Sequence, residues 1–286
     1  MTATASIVIP AHDEGALIAS TLRGVLADAL PGEFEIVVAA NGCTDDTVAQ
    51  ASSVPGVTVV ETAIASKIAG LNLGDMAATT FPRIYLDADV VVSAATLRFL
   101  AAALRTRTGP AVASPRLRVD GSRSTFPVRQ YLRIWEQSDY RLTGHIGSGV
   151  YAVNLEGRAR WDEFPDVIAD DRFVQQLFLS NERITVDGEF TVRAPATMGA
   201  HLRRATRIAA GNRQLPTTVQ NASVEPATVR YRRLLGRVAR RPPLWGALPF
   251  YLYGFGVPLV KARRMDSAGS GVDWSRDTSL REEARR

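Results

Sequence analysis

The stretch "RIYLDADVVVS", residues 83–93, places two carboxylates, Asp87 and Asp89, where one apolar run ends and another begins. An unpaired charge inside an apolar strand is costly. The two acids therefore mark either a strand that has ended in a turn, or a cleft into which both carboxylates point and hold a cation. With 17 Asp among 286 residues, about one Asp-x-Asp is expected by chance, so the motif alone does not choose. The segments around it decide.

Upstream, "ASIVIPA" is a short apolar run ending at Pro10, followed by "EGALIASTLRGVL" with Leu17, Thr21/Leu22 and Val25 at helical spacing. "FEIVVAA" is a second strand that runs into "NGCTDDT", where Asn41-Gly42 makes a turn and Thr44 or Asp45 can cap a helix. "GVTVVE" and "SKIAGLNLGDMAATT" give a third strand and helix. "RIYLDAD" and "SAATLRFLAAALR" give a fourth of each. Strands alternating with helices of roughly 10–15 residues predict an α/β fold: a mostly parallel, Rossmann-like sheet with helices on both faces. Ligands of such sheets bind outside the carboxyl ends of the strands. Those ends carry Pro10-Ala11-His12-Asp13, Asn41-Gly42 and Asp87-Ala88-Asp89, so three polar clusters are expected on one rim.

After residue 110 the alternation stops. "SPRLRV", "GVYAVN", "RITVDG" and "FTVRAP" read as strands, mixed with helices around 128–142, 170–180 and 202–214, which extend the sheet as a mixed half. Residues 230–264 differ in kind: an apolar stretch from Leu244 to Val260, interrupted by Pro249 and Pro258, stands between Arg- and Lys-bearing flanks. The end, 265–286, reads as a tail of low order.

One cysteine, Cys43, rules out an internal disulfide and points to a reducing compartment. The opening "MTATASIVIPAHDEG" lacks the basic and long apolar regions of a signal peptide, so a cytoplasmic location is expected. The net charge of +5 is unevenly spread: residues 1–200 hold 17 basic and 23 acidic side chains, residues 201–286 hold 17 and 6. A basic end suits nucleic acid, anionic lipid or a phosphorylated ligand. No Arg/Lys-aromatic stripe, zinc spacing or ribonucleoprotein motif favours nucleic acid. Neither Gly-x-Gly-x-x-Gly after the first strand nor a Gly-Lys-Ser/Thr loop is present, which disfavours nicotinamide and ATP-type sites. Lys67 and Lys261 are the only lysines among 34 basic residues, so each invites a reason.

Taken in order, "SIVIPAHDE", "EIVVAANGCTDDT", "SKIAGLNLG", "DAD", "GSGVYAVN", "VIADDRF" and "RRATRIAAG" resemble the family 2 glycosyltransferases, whose fold is called GT-A. The likeness covers roughly residues 5–215. It implies a GT-A domain over 1–215, with a nucleotide-sugar half about 1–110 and an acceptor half about 111–215. A basic, apolar C-terminal segment, 216–264, would then contact a membrane or a second subunit, and an oligomer is allowed.

The resemblance implies an inverting transfer from a nucleotide-diphosphate sugar to an acceptor hydroxyl, in cell-surface glycan or glycolipid synthesis, with the acceptor lipid-linked in the second case. Charge grows on the diphosphate leaving group, so the site needs Mn²⁺ or Mg²⁺ and fixed cations. By likeness, Asp89 and Asp87 are metal ligands, and His201 a third. Pro10, Ala11, Asp13, Glu14, Asn41, Lys67, Asn72, Asp87, Ala88, Arg204 and Arg207 fall on the nucleotide-sugar side. Gly147, Ser148 and Gly149 line the acceptor side. Asp171 is the base that takes the acceptor proton, with Asp170 as its neighbour. His12 and His145 are read as structural.

Two departures stand out. Ala40 and Asn41 replace the acid that usually ends the second strand, leaving the nucleobase open, and Ile208 stands where Trp is common. They keep a catalytically degenerate sugar-nucleotide binder in view. A sugar-phosphate nucleotidyltransferase is the other alternative, but "PAHDEGA" is not the Gly-rich, Arg-containing loop it would need.

Overall fold

A computed structural model describes residues 3–142, 146–213 and 227–267. The tail expected from 265 falls outside these from residue 268 onward, as does His145. Among the described residues there are eight strands, β1 (Ala5–Ala11), β2 (Phe34–Asn41), β3 (Val57–Thr62), β4 (Arg83–Leu86), β5 (Val91–Val92), β6 (Val112–Asp120), β7 (Val150–Val153) and β8 (Arg183–Arg193). The helices are α1 (Ile18–Leu26), α2 (Thr47–Ser52), α3 (Lys67–Ala77), α4 (Ala94–Arg105), α5 (Phe126–Trp135), α6 (Asp139–Leu142), α7 (Leu155–Arg158), α8 (Asp170–Gln176), α9 (Met198–Gly211), α10 (Ala227–Ala239) and α11 (Leu248–Ser267). They fall into two compact units. The first takes the chain up to Arg118 and again from Ile146 to Val192, and the second takes it from Val119 and again from Arg193.

The strand order is β3-β2-β1-β4-β7-β6-β8-β5. Pairing is parallel between β3, β2, β1 and β4, and antiparallel for β4–β7, β6–β7 and β5–β8. The sheet is therefore mixed, with its parallel part confined to the first four strands. All seven residues of β1 are buried, as a central strand covered on both faces requires, whereas β3 at the sheet edge is half-buried throughout much of its length. "RITVDG" and "FTVRAP" are one continuous strand rather than two. Gly188 lies extended within it, and an added Cβ would come within 3.0 Å of the Thr96 side chain, so this glycine makes room for a neighbour instead of turning the chain.

Local chemistry sets the helix starts. Ser66 and Ser93 cap α3 and α4 by accepting from the backbone N–H of Ala69 and Thr96. At α2 it is Asp45 that receives the Thr47 N–H, at 3.0 Å. Helix α3 lies close on β1 because Gly74 has no side chain: a Cβ there would sit 2.5 Å from Val8 Cγ1.

One buried acid ties three of these elements together. Asp75 Oδ1 accepts from Arg83 Nη1 at 2.6 Å and from the Tyr85 hydroxyl at 2.9 Å, while Oδ2 accepts from Arg158 Nε. Removing it would leave two guanidinium groups without their counter-ion in the interior. We expect Asp75→Ala to lower unfolding stability by about 3–5 kcal/mol in urea titration, the scale of a broken buried ion pair. A loss below about 1 kcal/mol would show that solvent or a neighbour compensates.

The second unit packs α9 and α11 against α5. Tyr131, Leu234, Val238, Leu244, Ala247 and Tyr251 form its core. The apolar stretch from Leu244 onward folds as a 3-10 turn, Pro242–Ala247, followed by α11 with Pro258 inside it. Among the described residues no helix is long and apolar enough to cross a membrane.

Candidate functional site

The parallel strands end on one rim, and the antiparallel strand beside them brings in a further loop. Because β7 runs against β4 with Leu86 opposite Val150, the residues entering β7 lie next to those leaving β4. The Asp87 N–H accordingly donates to the Gly149 carbonyl at 2.8 Å. The loop Gly147-Ser148-Gly149 has positive φ at all three residues, 108°, 62° and 107°. Glycine is required at both outer positions: a Cβ on Gly147 would lie 2.3 Å from Asp171 Cβ, and one on Gly149 2.6 Å from Val90 Cγ2. Ser148 carries the strain of a non-glycine residue in this region, and its N–H donates to Asp171 Oδ2 at 2.9 Å.

Asp170 and Asp171 open α8, where the helix dipole favours carboxylates. Their surroundings differ. Asp171 is half-buried and held by backbone donors, Ser148 N–H on Oδ2 and Arg172 N–H on Oδ1 at 2.7 Å. Asp170 is buried, with the Lys67 ammonium 2.8 Å from Oδ1 and the Tyr151 hydroxyl 3.3 Å from Oδ2. The same ammonium lies 2.7 Å from Asp87 Oδ1. Lys67 thus bridges the strand-end acid to the first acid of α8.

The charges adjust to this packing. Burial pushes Asp170 up, Lys67 pulls it back, and Asp171 and Asp87 push it up again, leaving its carboxyl at about 6. Burial works to lower Lys67, but Asp170 and Asp87 outweigh it and hold the ammonium above its ordinary range. Burial also raises the Tyr151 phenol, with Asp170 adding to the effect, so this group donates rather than ionises.

The other residues expected from the sequence are placed as follows. Ala88 is buried and its carbonyl accepts from Thr21 Oγ1 at 2.8 Å, while Asp89 is exposed and its carboxylate has no protein partner among the described residues. Pro10 and Ala11 end β1. Asp13 has φ of 49° and accepts from Thr44 N–H at 2.7 Å. Glu14 is buried. Asn41 is fully buried, neither atom of its amide has a partner among the described residues, and a Cβ on Gly70 would approach its Oδ1 to 2.9 Å. Asn72 clamps Phe164: its Oδ1 accepts from the Phe164 N–H at 2.8 Å and its Nδ2 donates to the Phe164 carbonyl at 3.2 Å. This holds the segment that leads into α8.

His201, Arg204 and Arg207 lie on α9 in the second unit. His201 is buried beside Tyr131, with Nε2 3.2 Å from the Gly254 carbonyl, and burial holds its imidazole below the usual range. Arg204 donates to the Arg193 carbonyl at 3.3 Å.

Two residues, Tyr151 and Cys43, lie at this rim without being singled out for it, and His12, expected there as a structural residue, takes a further part. Tyr151 is a strand residue whose spacing gives no hint of Asp170. His12 and Cys43 meet Asp13 so that one ligand atom of each lies within 4.8 Å of the others, a group able to hold a metal ion. Their adjacency to the two strand ends was the available signal.

The family model "Glycosyl transferase family 2" matches residues 6–157, over half of the chain. The chain belongs to the family 2 glycosyl transferases. No sequence among curated proteins matches it. Solved structures share the fold of this family member. A mannosyltransferase from Pyrobaculum calidifontis, PcManGT, in complex with GDP-Man and Mn²⁺, aligns with a TM-score of 0.59 at 19% identity, covering 100% of this chain and 83% of that one. Glucosyl-3-phosphoglycerate synthase from Mycobacterium tuberculosis, in complex with Mn²⁺, UDP and glucosyl-3-phosphoglycerate, aligns with a TM-score of 0.53 at 20% identity, covering 72% and 78%.

The bridge at Lys67 gives a test of the site's electrostatics. A carboxyl held above its unfolded value of 3.8 favours the folded state at low pH, and that contribution is lost as pH rises through about 6. Lys67→Met removes the counter-ion and should cost about 3 kcal/mol at pH 8. The cost should be clearly smaller at pH 5, where Asp170 can take up a proton. Equal losses at both pH values would show that Asp170 does not depend on Lys67.

Proposed function

We propose that this chain transfers a sugar from a nucleoside-diphosphate sugar to an acceptor hydroxyl with inversion, with Asp171 as the base. The observation that carries this reading is the division of labour between two adjacent acids. Asp170 is buried and committed to Lys67 and Tyr151, whereas Asp171 remains half-buried with its carboxylate oriented by two backbone donors. An acid so placed at the rim can take the proton of a hydroxyl as that oxygen attacks the anomeric carbon. The bond to the diphosphate breaks on the opposite side.

Donor binding is assigned to the strand-end clusters. The unpaired amide of buried Asn41 and the backbone of Pro10 and Ala11 support a donor there. The hard oxygen donors of Asp89 and Asp87 fit Mn²⁺ or Mg²⁺, and the unpartnered state of Asp89 supports it as the principal ligand. When bound, such a cation neutralises charge on the leaving diphosphate. The Lys67 ammonium holds Asp87 in place, and Ser148 holds Asp171. Both structural neighbours are complexes with Mn²⁺, which supports a divalent cation beside the donor but names no ligand residue of this chain. Arg204 and Arg207, three residues apart on α9, carry guanidinium groups of the type that takes a diphosphate.

Two variants separate donor binding from chemistry. Asp89→Asn should abolish Mn²⁺-dependent stabilisation by UDP- and GDP-sugars in thermal melts. Asp171→Asn should keep donor affinity within a few-fold and lower turnover by about 10²–10⁴. Wild-type turnover in Asp171→Asn would move the base elsewhere.

The second unit supports a peripheral contact with an anionic bilayer, as a lipid-linked acceptor would require. Trp245, Leu252 and Tyr253 are more than half exposed, at 55%, 60% and 53%. Arg240, Lys261 and Arg263 are exposed on the same segment. Aromatic rings and basic side chains are the residue types that settle at the headgroup level. Full-length protein should float with anionic liposomes at low salt, and Trp245→Ser/Leu252→Ser/Lys261→Glu should not. Flotation of the triple variant equal to that of the wild type would remove the membrane from this reading.

A further inference from the structure

The rim carries a second set of metal-ligating side chains whose chemistry differs from that of Asp87 and Asp89. His12 and Asp13 follow β1, and Cys43 follows β2. The parallel register, with Ala11 opposite Ala40, brings them together. We propose that His12 Nε2, Asp13 Oδ2 and Cys43 Sγ form a binding site for a borderline-soft divalent cation, Zn²⁺ foremost, distinct from the oxygen site of the DAD stretch.

Each ligand is already oriented by a second contact. His12 Nδ1 lies 2.6 Å from the Asn41 carbonyl. A carbonyl only accepts, so Nδ1 carries the hydrogen and the lone pair is on Nε2. A backbone carbonyl on the far nitrogen is the usual way a metal-binding imidazole is fixed. Nε2 in turn lies 3.7 Å from Asp13 Oδ2. Metal bonds of about 2.0–2.2 Å in a tetrahedron give a ligand–ligand edge of roughly 3.4 Å, so little movement is needed. Asp13 is held at φ of 49°, with Oδ1 engaged by Thr44 N–H and Oγ1. This presents its other oxygen to His12. Cys43 Sγ donates to the Ala11 carbonyl at 3.3 Å, so the sulfur faces back across the strand ends.

Imidazole and thiolate select zinc over manganese or magnesium. Coordination displaces the thiol proton to solvent, and one carboxylate and one thiolate then balance the two positive charges. Three protein ligands leave a fourth position for water or an anionic oxygen.

Cobalt substitution tests the site in the full-length protein without recourse to activity. Cys43 is the only sulfhydryl in the chain, so a sulfur-to-cobalt charge-transfer band in the near ultraviolet reports this residue alone. One equivalent of Co²⁺ should produce the band, Zn²⁺ should abolish it, and excess Mn²⁺ should not. Cys43→Ser, which keeps a donor to the Ala11 carbonyl, should lose the band. His12→Ala and Asp13→Asn should weaken Co²⁺ binding by about tenfold or more. Thermal melts of metal-free protein establish that each variant is folded. Absence of the band in the wild type, or unchanged affinity in folded His12→Ala, overturns the proposal. Asp89→Asn should keep the band, so loss of the transfer reading and loss of this site are seen separately.

Discussion

The Lys67 ammonium, between Asp87 at 2.7 Å and Asp170 at 2.8 Å, is the interaction on which the site depends. Three segments far apart in the chain meet there: the start of α3, the end of β4 and the start of α8. Burying Asp170 without a partner would cost several kcal/mol, and two carboxylates converging on one spot would repel one another. A single cation with one-fifth of its side chain exposed resolves both problems. Its compact ammonium can serve two acids at once, which the planar fork of arginine does less readily. In a chain that uses arginine almost everywhere else, the lysine has a reason.

Around that bridge the rim is stiffened by absence of side chains. Gly147 lets the loop before β7 lie against Asp171, Gly149 lets it lie against Val90, and Gly70 and Gly74 seat α3 on the first two strands. Every one of these approaches is closer than a Cβ would allow. The strain retained at Ser148 places a backbone donor on Asp171, so the geometry of the acid and the geometry of the Asp87 loop are set by the same three residues. Asn72 acts at one remove, fixing Phe164 and with it the approach to α8.

The two cation sites proposed at the rim differ in chemistry. Oxygen donors lie at the end of β4, and a nitrogen, oxygen and sulfur set lies at the ends of β1 and β2. Hard and borderline-soft ions have different preferences among these ligands, so two neighbouring groups need not compete for the same metal.

Much of the first unit is legible in the sequence because its signals are local. Apolar runs of strand length, helices at 3.6-residue spacing, serine caps before "KIAG" and "AATL", and acids just past a strand end all act within a few residues of themselves. The order of motifs was likewise enough to give the family. What tertiary structure decided is everything that needs two distant segments. The pairing of β7 against β4 places the 147–149 loop at Asp87. Whether Asp170 or Asp171 would be buried could not be read from "ADD", because burial is conferred by Tyr151 and Lys67, at separations of 19 and 103 residues. "RITVDG" and "FTVRAP" read as two strands, yet Gly188 continues one strand and makes room for Thr96 of α4. Local sequence specifies which groups are available, and only the folded chain, by excluding water and setting neighbours, decides which acid is held in a buried pair and which stays half-buried at the rim.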